Sequence, residues 1–254
     1  MTGDSAGVLL VPEVRAGSTV VTVTGRLDLT SYPDLRDGLL KIATDAPESV
    51  IADISGLTIG EDKLAGVFST VAMRISDWPG VPFALVSARP EHIAVLRSQA
   101  IDRFVAVHAD VGTAEQERDH PLRRRAVQLL MPSSGASALA RQFVTRVCAE
   151  WGVPENTEDA LLVATELVEN TIRHTFSAPR LRLELRRGVF TVAVADDDPR
   201  PAVLHERVHS SEAGLGLQMV VQIARVWGCS RSWAGGKVVW AVLARRGRSR
   251  VGSR

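Results

Sequence analysis

Hydrophobic and polar positions follow two periods along the chain. "TVVTVTGRLDL" (19–29) is rich in β-branched residues and ends at polar turn signals, which predicts a strand. In "YPDLRDGLLKIA", Leu35, Leu39, Leu40 and Ile42 fall roughly on one face of a helix. "SVIADI" reads as a short buried strand and "DKLAGVFSTVAMRI" as a second helix. "PFALVS", "PEHIAVLRSQA" and "FVAVHA" repeat the strand–helix–strand order. That succession predicts a sheet with helices packed on it.

The pattern breaks near "AEQERDHPLRRR" (114–125), which is charged and contains Pro121. A helix end running into a linker is expected there. Beyond it come a short strand, "AVQLLM", and two helices, "GASALARQFVTRVCAEW" and "NTEDALLVATELVENTIRHT". Asn156 or Thr157 suits the N-cap of the second helix, with Glu158 and Asp159 in its first turn. Leu161, Ala164, Val168 and Ile172 form its predicted apolar stripe. "LRLELRR" alternates, and "VFTVAVA" is a nearly continuous apolar strand. After a loop over 196–213, "GLGLQMVVQIARVWG" predicts a helix and "CSRSW-AGG-KVVWAVLA" a hairpin. The fold class is therefore α/β plus α+β: a sheet-and-helix domain over 8–115, then a sandwich of one largely antiparallel sheet and helices over 122–244. Residues 245–254 form a basic tail.

The length allows one large domain or two ordinary ones. The 254 residues are 45% apolar and 23% charged, the usual balance of a globular protein. No apolar run is long enough to cross a bilayer, and "MTGDSAGVLLVPEV" has no basic segment or long apolar core of a signal peptide. A cytoplasmic protein with no membrane partner is expected. Cys148 and Cys229 have no metal spacing and read as reduced thiols. Residues 1–119 hold 10 Lys+Arg against 17 Asp+Glu, a balance of 10 − 17 = −7. Residues 120–254 hold 20 against 12, a balance of 20 − 12 = +8. This favours an acidic half beside a basic, phosphate-handling half. The tail "RRGRSRVGSR" has no stacking aromatics, so no direct nucleic-acid partner is expected. The five tryptophans read as core or sheet residues, with Trp227 and Trp240 closing the core behind the last helix and hairpin.

The chemistry concentrates on "ATELVENTIRHT", where Glu166, Asn170 and His174 recur every four residues and share a helix face. Alone, such a ridge fits a solvated face. Asp196 adds a carboxylate where the apolar strand stops, able to accept a hydrogen bond from an exocyclic amine such as that of adenine. Gly214 and Gly216 open a helix, where backbone N–H groups can approach a phosphate. Asn170 suits a Mg2+ ligand, and Glu166, one turn earlier, a general base.

"ELVEN...H", "ADDDPRP", "GLGLQMV" and "GGKVVW" together resemble the Bergerat-fold (GHKL) ATP-binding domain, in its anti-sigma-factor serine kinase branch, over about 122–244. The resemblance implies ATP and Mg2+ as cofactors, with Glu166 as general base, Asn170 as metal ligand and Asp196 as adenine partner. It implies cofactor-binding roles for Gly214, Leu215, Gly216 and Leu217 at the phosphate end of the lid. It gives His174 a supporting role. Asp198 and Arg200 stand where fuller members carry glycines, which implies a stiffer lid.

Residues 8–115 resemble a STAS domain, the anti-sigma-factor antagonist fold, through "GRLDLTSYPDLR" and "ADISGLTIGEDKLAGV". That family carries an acceptor serine where this chain reads Glu61-Asp62-Lys63-Leu64, without a hydroxyl. The first half is therefore expected not to be a substrate in cis, and Glu61 and Asp62 fit a solvated helix N-terminus. The resemblance implies an ATP-dependent serine kinase and anti-sigma factor. Its partners would be an anti-sigma factor antagonist protein and/or a sigma factor, with a homodimer possible. The competing expectation is a non-catalytic, nucleotide-dependent binding module. A sensor histidine kinase fits poorly, because none of His92, His108, His120, His174, His205 and His209 lies in a dimerising helical hairpin.

Overall fold

The computed structural model describes residues 7–15, 17–117, 123–200 and 215–243. Contacts divide the chain into two compact units, Met1–His120 and Pro121–Arg254.

The first unit runs β1 (Leu9–Arg15), β2 (Ser18–Leu27), α1 (Tyr32–Thr44), β3 (Val50–Ile59), α2 (Gly66–Asp77), β4 (Phe83–Val86), α3 (Pro90–Ser98), β5 (Ala106–His108) and α4 (Val111–Gln116). The strands form one sheet in chain order. β1 pairs antiparallel with β2, and the other neighbours are parallel. Side chains alternate along β2: Val21 and Val23 enter the main core with Leu39 of α1 and Phe68 of α2, while Val20 joins Ile51, Val86 and Ala114 in a second cluster. Strand β1 escapes the sequence reading because it is mostly exposed and carries Pro12, as an edge strand can. The helix expected from Asp62 begins instead as a 3-10 turn, Asp62–Ala65, before α2. Buried His92 ties α3 to the sheet: Nε2 lies 3.0 Å from the Leu57 carbonyl and Nδ1 2.9 Å from Ser87 Oγ. The carbonyl only accepts, so Nε2 carries the proton and Ser87 donates to Nδ1. Burial pushes the His92 pKa down, and the Arg89 charge adds to this.

The second unit runs β6 (Arg123–Leu129), α5 (Ala136–Trp151), α6 (Thr157–His174), β7 (Arg180–Arg186), β8 (Val189–Asp196), α7 (Leu215–Ile223), β9 (Ala224–Arg231) and β10 (Lys237–Leu243). Its sheet has the order β6-β7-β8-β10-β9, antiparallel throughout. Leu181, Leu183, Phe190, Val192, Val194, Val239 and Ala241 alternate onto one face and share a core with the helices. Phe143 and Val144 of α5, and Val163, Leu167 and Val168 of α6, complete it.

Four local expectations change. The buried stripe of α6 runs through Ala160, Val163, Ala164, Leu167, Val168 and Thr171, leaving Leu161 and Ile172 at its margin. Asn156 occupies the N-cap position but its side chain makes no capping bond. Helix α7 stops at Ile223, and "ARVWG" lies in β9, where Val226 and Trp227 pair with Val242 and Ala241. Strand β6 begins at Arg123 rather than Ala126, because the arginines find a carboxylate. Arg123, Arg182 and Arg125 lie 2.8, 3.1 and 3.8 Å from Glu184 Oε1, on the sheet face away from the helices. Part of the basic excess is thus a cluster on that face and not a phosphate site. The tail 245–254 lies outside the described residues.

Candidate functional site

Helix α6 packs against β8 and β10. Its propensity and first-turn acids favour a helix, and its apolar stripe seats it on the core. Glu166 and Asn170 sit half-buried, one turn apart, beside that stripe. His174 is the last residue of α6 and is exposed. Burial pushes the Glu166 carboxyl above its ordinary pKa; the nearby Glu169 adds to this and Arg173 offsets it.

Asp196 ends β8 on the same side as Phe190, Val192 and Val194, and is 1% exposed. Its cross-strand partner is Lys237, the first residue of β10, whose ammonium lies 2.8 Å from Asp196 Oδ1. Asp198 N–H donates to the same oxygen at 2.9 Å, and Lys237 Nζ also donates to the Asp198 carbonyl at 3.0 Å. Oδ2 is buried and meets no donor among the described residues. A carboxylate with one satisfied and one unsatisfied buried oxygen fits a ligand that brings an N–H.

The turn after Asp196 is held closely. Arg200 Nη2 donates to Asp198 Oδ2 at 2.6 Å, and Arg200 N donates to Oδ1 at 2.9 Å. The Arg200 guanidinium and backbone N–H hold the Asp198 carboxyl well below the usual carboxylate range. Arg180 pairs with Asp197 at 2.8 Å. Gly236, at φ +73°, lets β10 press against this turn: a Cβ there would meet the Asp196 carbonyl and stand 2.7 Å from Asp197 Cα.

Leu217 of α7 is half-buried against the core. Leu215 and Gly216 lie in the first turn of α7, and Gly214 lies outside the described residues. Among the described residues no three His, Cys, Asp or Glu side chains gather as a metal site. The amide oxygen of Asn170 is of the chemical type that a hard divalent cation accepts as a ligand. An open depression of about 520 Å³ lies along α5, lined by Ala138, Arg141, Gln142, Thr145 and Arg146, which take no part in this arrangement. No described helix is long and apolar enough to cross a membrane.

Sequence reasoning missed Lys237. The signal was available: Lys237 shares the strand parity of Val239 and Ala241, and a charged side chain on a core face needs a partner.

No curated protein matches the chain. Among solved structures, an anti-sigma factor antagonist from Mycobacterium paratuberculosis is similar over 43% of this chain and 92% of its own, at 17% identity and TM-score 0.39. An anti-sigma-factor antagonist (STAS) domain protein from Planctomyces limnophilus covers 43% of this chain and 94% of its own, at 21% identity and TM-score 0.34. The RsbU and RsbW domains of a Mycobacterium tuberculosis protein are similar over 52% of this chain and 35% of theirs, at 19% identity and TM-score 0.38. Residues 133–243, which hold every described residue of the candidate site, match the family model of the histidine kinase-like ATPase domain.

Proposed function

We propose that the second unit binds Mg-ATP and that the chain is a partner-switching regulator of the anti-sigma-factor type, phosphorylating a serine of a separate antagonist protein. The Oδ2 of Asp196, buried and without a donor among the described residues, carries the nucleotide reading: it is an acceptor suited to an amine, inside the matched domain. Asn170 would hold Mg2+, which supplies charge neutralisation at the phosphates. Glu166 takes the proton of the attacking serine hydroxyl, and its raised pKa suits a base that must capture it. Positioning and charge stabilisation are most of what phosphoryl transfer requires of a protein.

The first unit offers no hydroxyl at Glu61-Asp62-Lys63-Leu64, so in this reading it docks or senses and receives no phosphate. The test is phosphotransfer from labelled ATP to a panel of antagonist proteins. Glu166→Ala is expected to bind ATP and transfer nothing; normal transfer by that variant refutes Glu166 as base. Stoichiometric label within residues 1–119 refutes the passive first unit. A second reading, a non-catalytic nucleotide-ordered binding module, is favoured by the Asp198–Arg200 clasp beside the site. Nucleotide binding without transfer to any antagonist selects it.

A further inference from the structure

We propose that Lys237 is a positioning residue that sets base specificity, by engaging one oxygen of Asp196 and leaving the other, which meets no donor among the described residues, as the acceptor for the base. The inference rests on the nucleotide reading above and adds to it the reason a purine with a 6-amino group is chosen.

The geometry is asymmetric. Oδ1 receives Lys237 Nζ at 2.8 Å and the Asp198 N–H at 2.9 Å, whereas Oδ2 receives nothing among the described residues. Lys237 is 7% exposed and its second donor is spent on the Asp198 carbonyl at 3.0 Å, so it is anchored at two points. The pair is also locked by register, since Lys237 and Asp196 face each other across β10 and β8. An ammonium is a point donor that can satisfy one oxygen and stop there. A guanidinium in its place would present a planar fork that fits both oxygens of a carboxylate. The choice of lysine thus keeps Oδ2 open. A carboxylate paired to an ammonium accepts and cannot donate. It welcomes the N–H of a 6-amino purine and repels the 6-oxo group that replaces it in inosine.

The experiment is calorimetry on the full chain with ATP and with ITP, both with Mg2+, alongside thermal melts of each variant. The wild-type chain is expected to bind ATP about 10- to 100-fold more tightly than ITP, the range of one hydrogen bond to a charged group. Lys237→Arg is expected to melt no lower than wild type yet lose about 10-fold or more in ATP affinity, because the fork closes Oδ2. Where Lys237→Arg does not fold, the wild-type ratio decides. Equal binding of ATP and ITP by wild type, or wild-type ATP affinity in Lys237→Arg, overturns the proposal. A wild-type chain that binds neither nucleotide refutes the nucleotide reading itself, a result distinct from these.

Discussion

Breaking the Lys237–Asp196 pair should cost far more than removing it whole. At 2.8 Å and an effective dielectric of about 20, two unit charges attract by roughly 6 kcal/mol. Burial to 7% and 1% exposure offsets that gain, because each ion loses hydration worth several kcal/mol. The intact pair is therefore close to neutral for stability. Removing one member leaves the other charge buried without its partner, a loss of about 3–5 kcal/mol. Lys237→Met and Asp196→Leu should each show a loss of that order. The double variant Asp196→Leu/Lys237→Met should lie within about 1 kcal/mol of wild type or above it. Urea unfolding followed by tryptophan fluorescence measures this, since Trp151, Trp227, Trp233 and Trp240 lie in the second unit and only Trp78 in the first. A strongly negative coupling in the double-mutant cycle is the expected signature. Single variants within about 1 kcal/mol of wild type, adding simply in the double, would refute a desolvated pair.

Further outcomes follow from other features. Because burial lowers the His92 pKa, the unfolded state binds its proton more readily. The stability it contributes is complete above the unfolded value of about 6.5 and is lost as pH falls through that value toward the folded one. The first unit's unfolding midpoint should drop between pH 7.5 and 5, and His92→Gln should flatten that slope. Gly228→Ala should destabilise the second unit by about 1–3 kcal/mol in urea unfolding, because the new Cβ would stand 2.6 Å from the Trp240 ring. If transfer activity is found, Glu169→Gln should move the acid limb of its pH–rate profile to lower pH, since Glu169 is a like charge holding the Glu166 pKa up.

What the sequence disclosed depended on how local each cause was. The apolar run 189–195 is followed by Asp196, so both strand β8 and the buried carboxylate at its tip could be read directly. The period of α6 placed Glu166 and Asn170 beside a buried stripe, though the stripe itself is rotated toward Val163 and Leu167. Helix α7 was read too long because Val220, Ile223, Ala224 and Trp227 keep a helical spacing past its end. Strand pairing with β10 overrides that period, and pairing is non-local. Summed charge located nothing: three arginines counted toward a phosphate-binding half converge on Glu184. Lys237 stayed hidden because two glycines before it mark a hairpin turn, and the turn drew the reading away from the strand's first side chain.

Helix α7 passes into β9 with no residue between them: Ile223 closes one and Ala224 opens the other. Across from that joint the ladder skips Arg225, pairing Val242 with Val226 and Leu243 with Ala224. A bulge bends the strand that carries it and sharpens the local twist, so a single surplus residue lets the chain turn from helix into sheet with no loop between them.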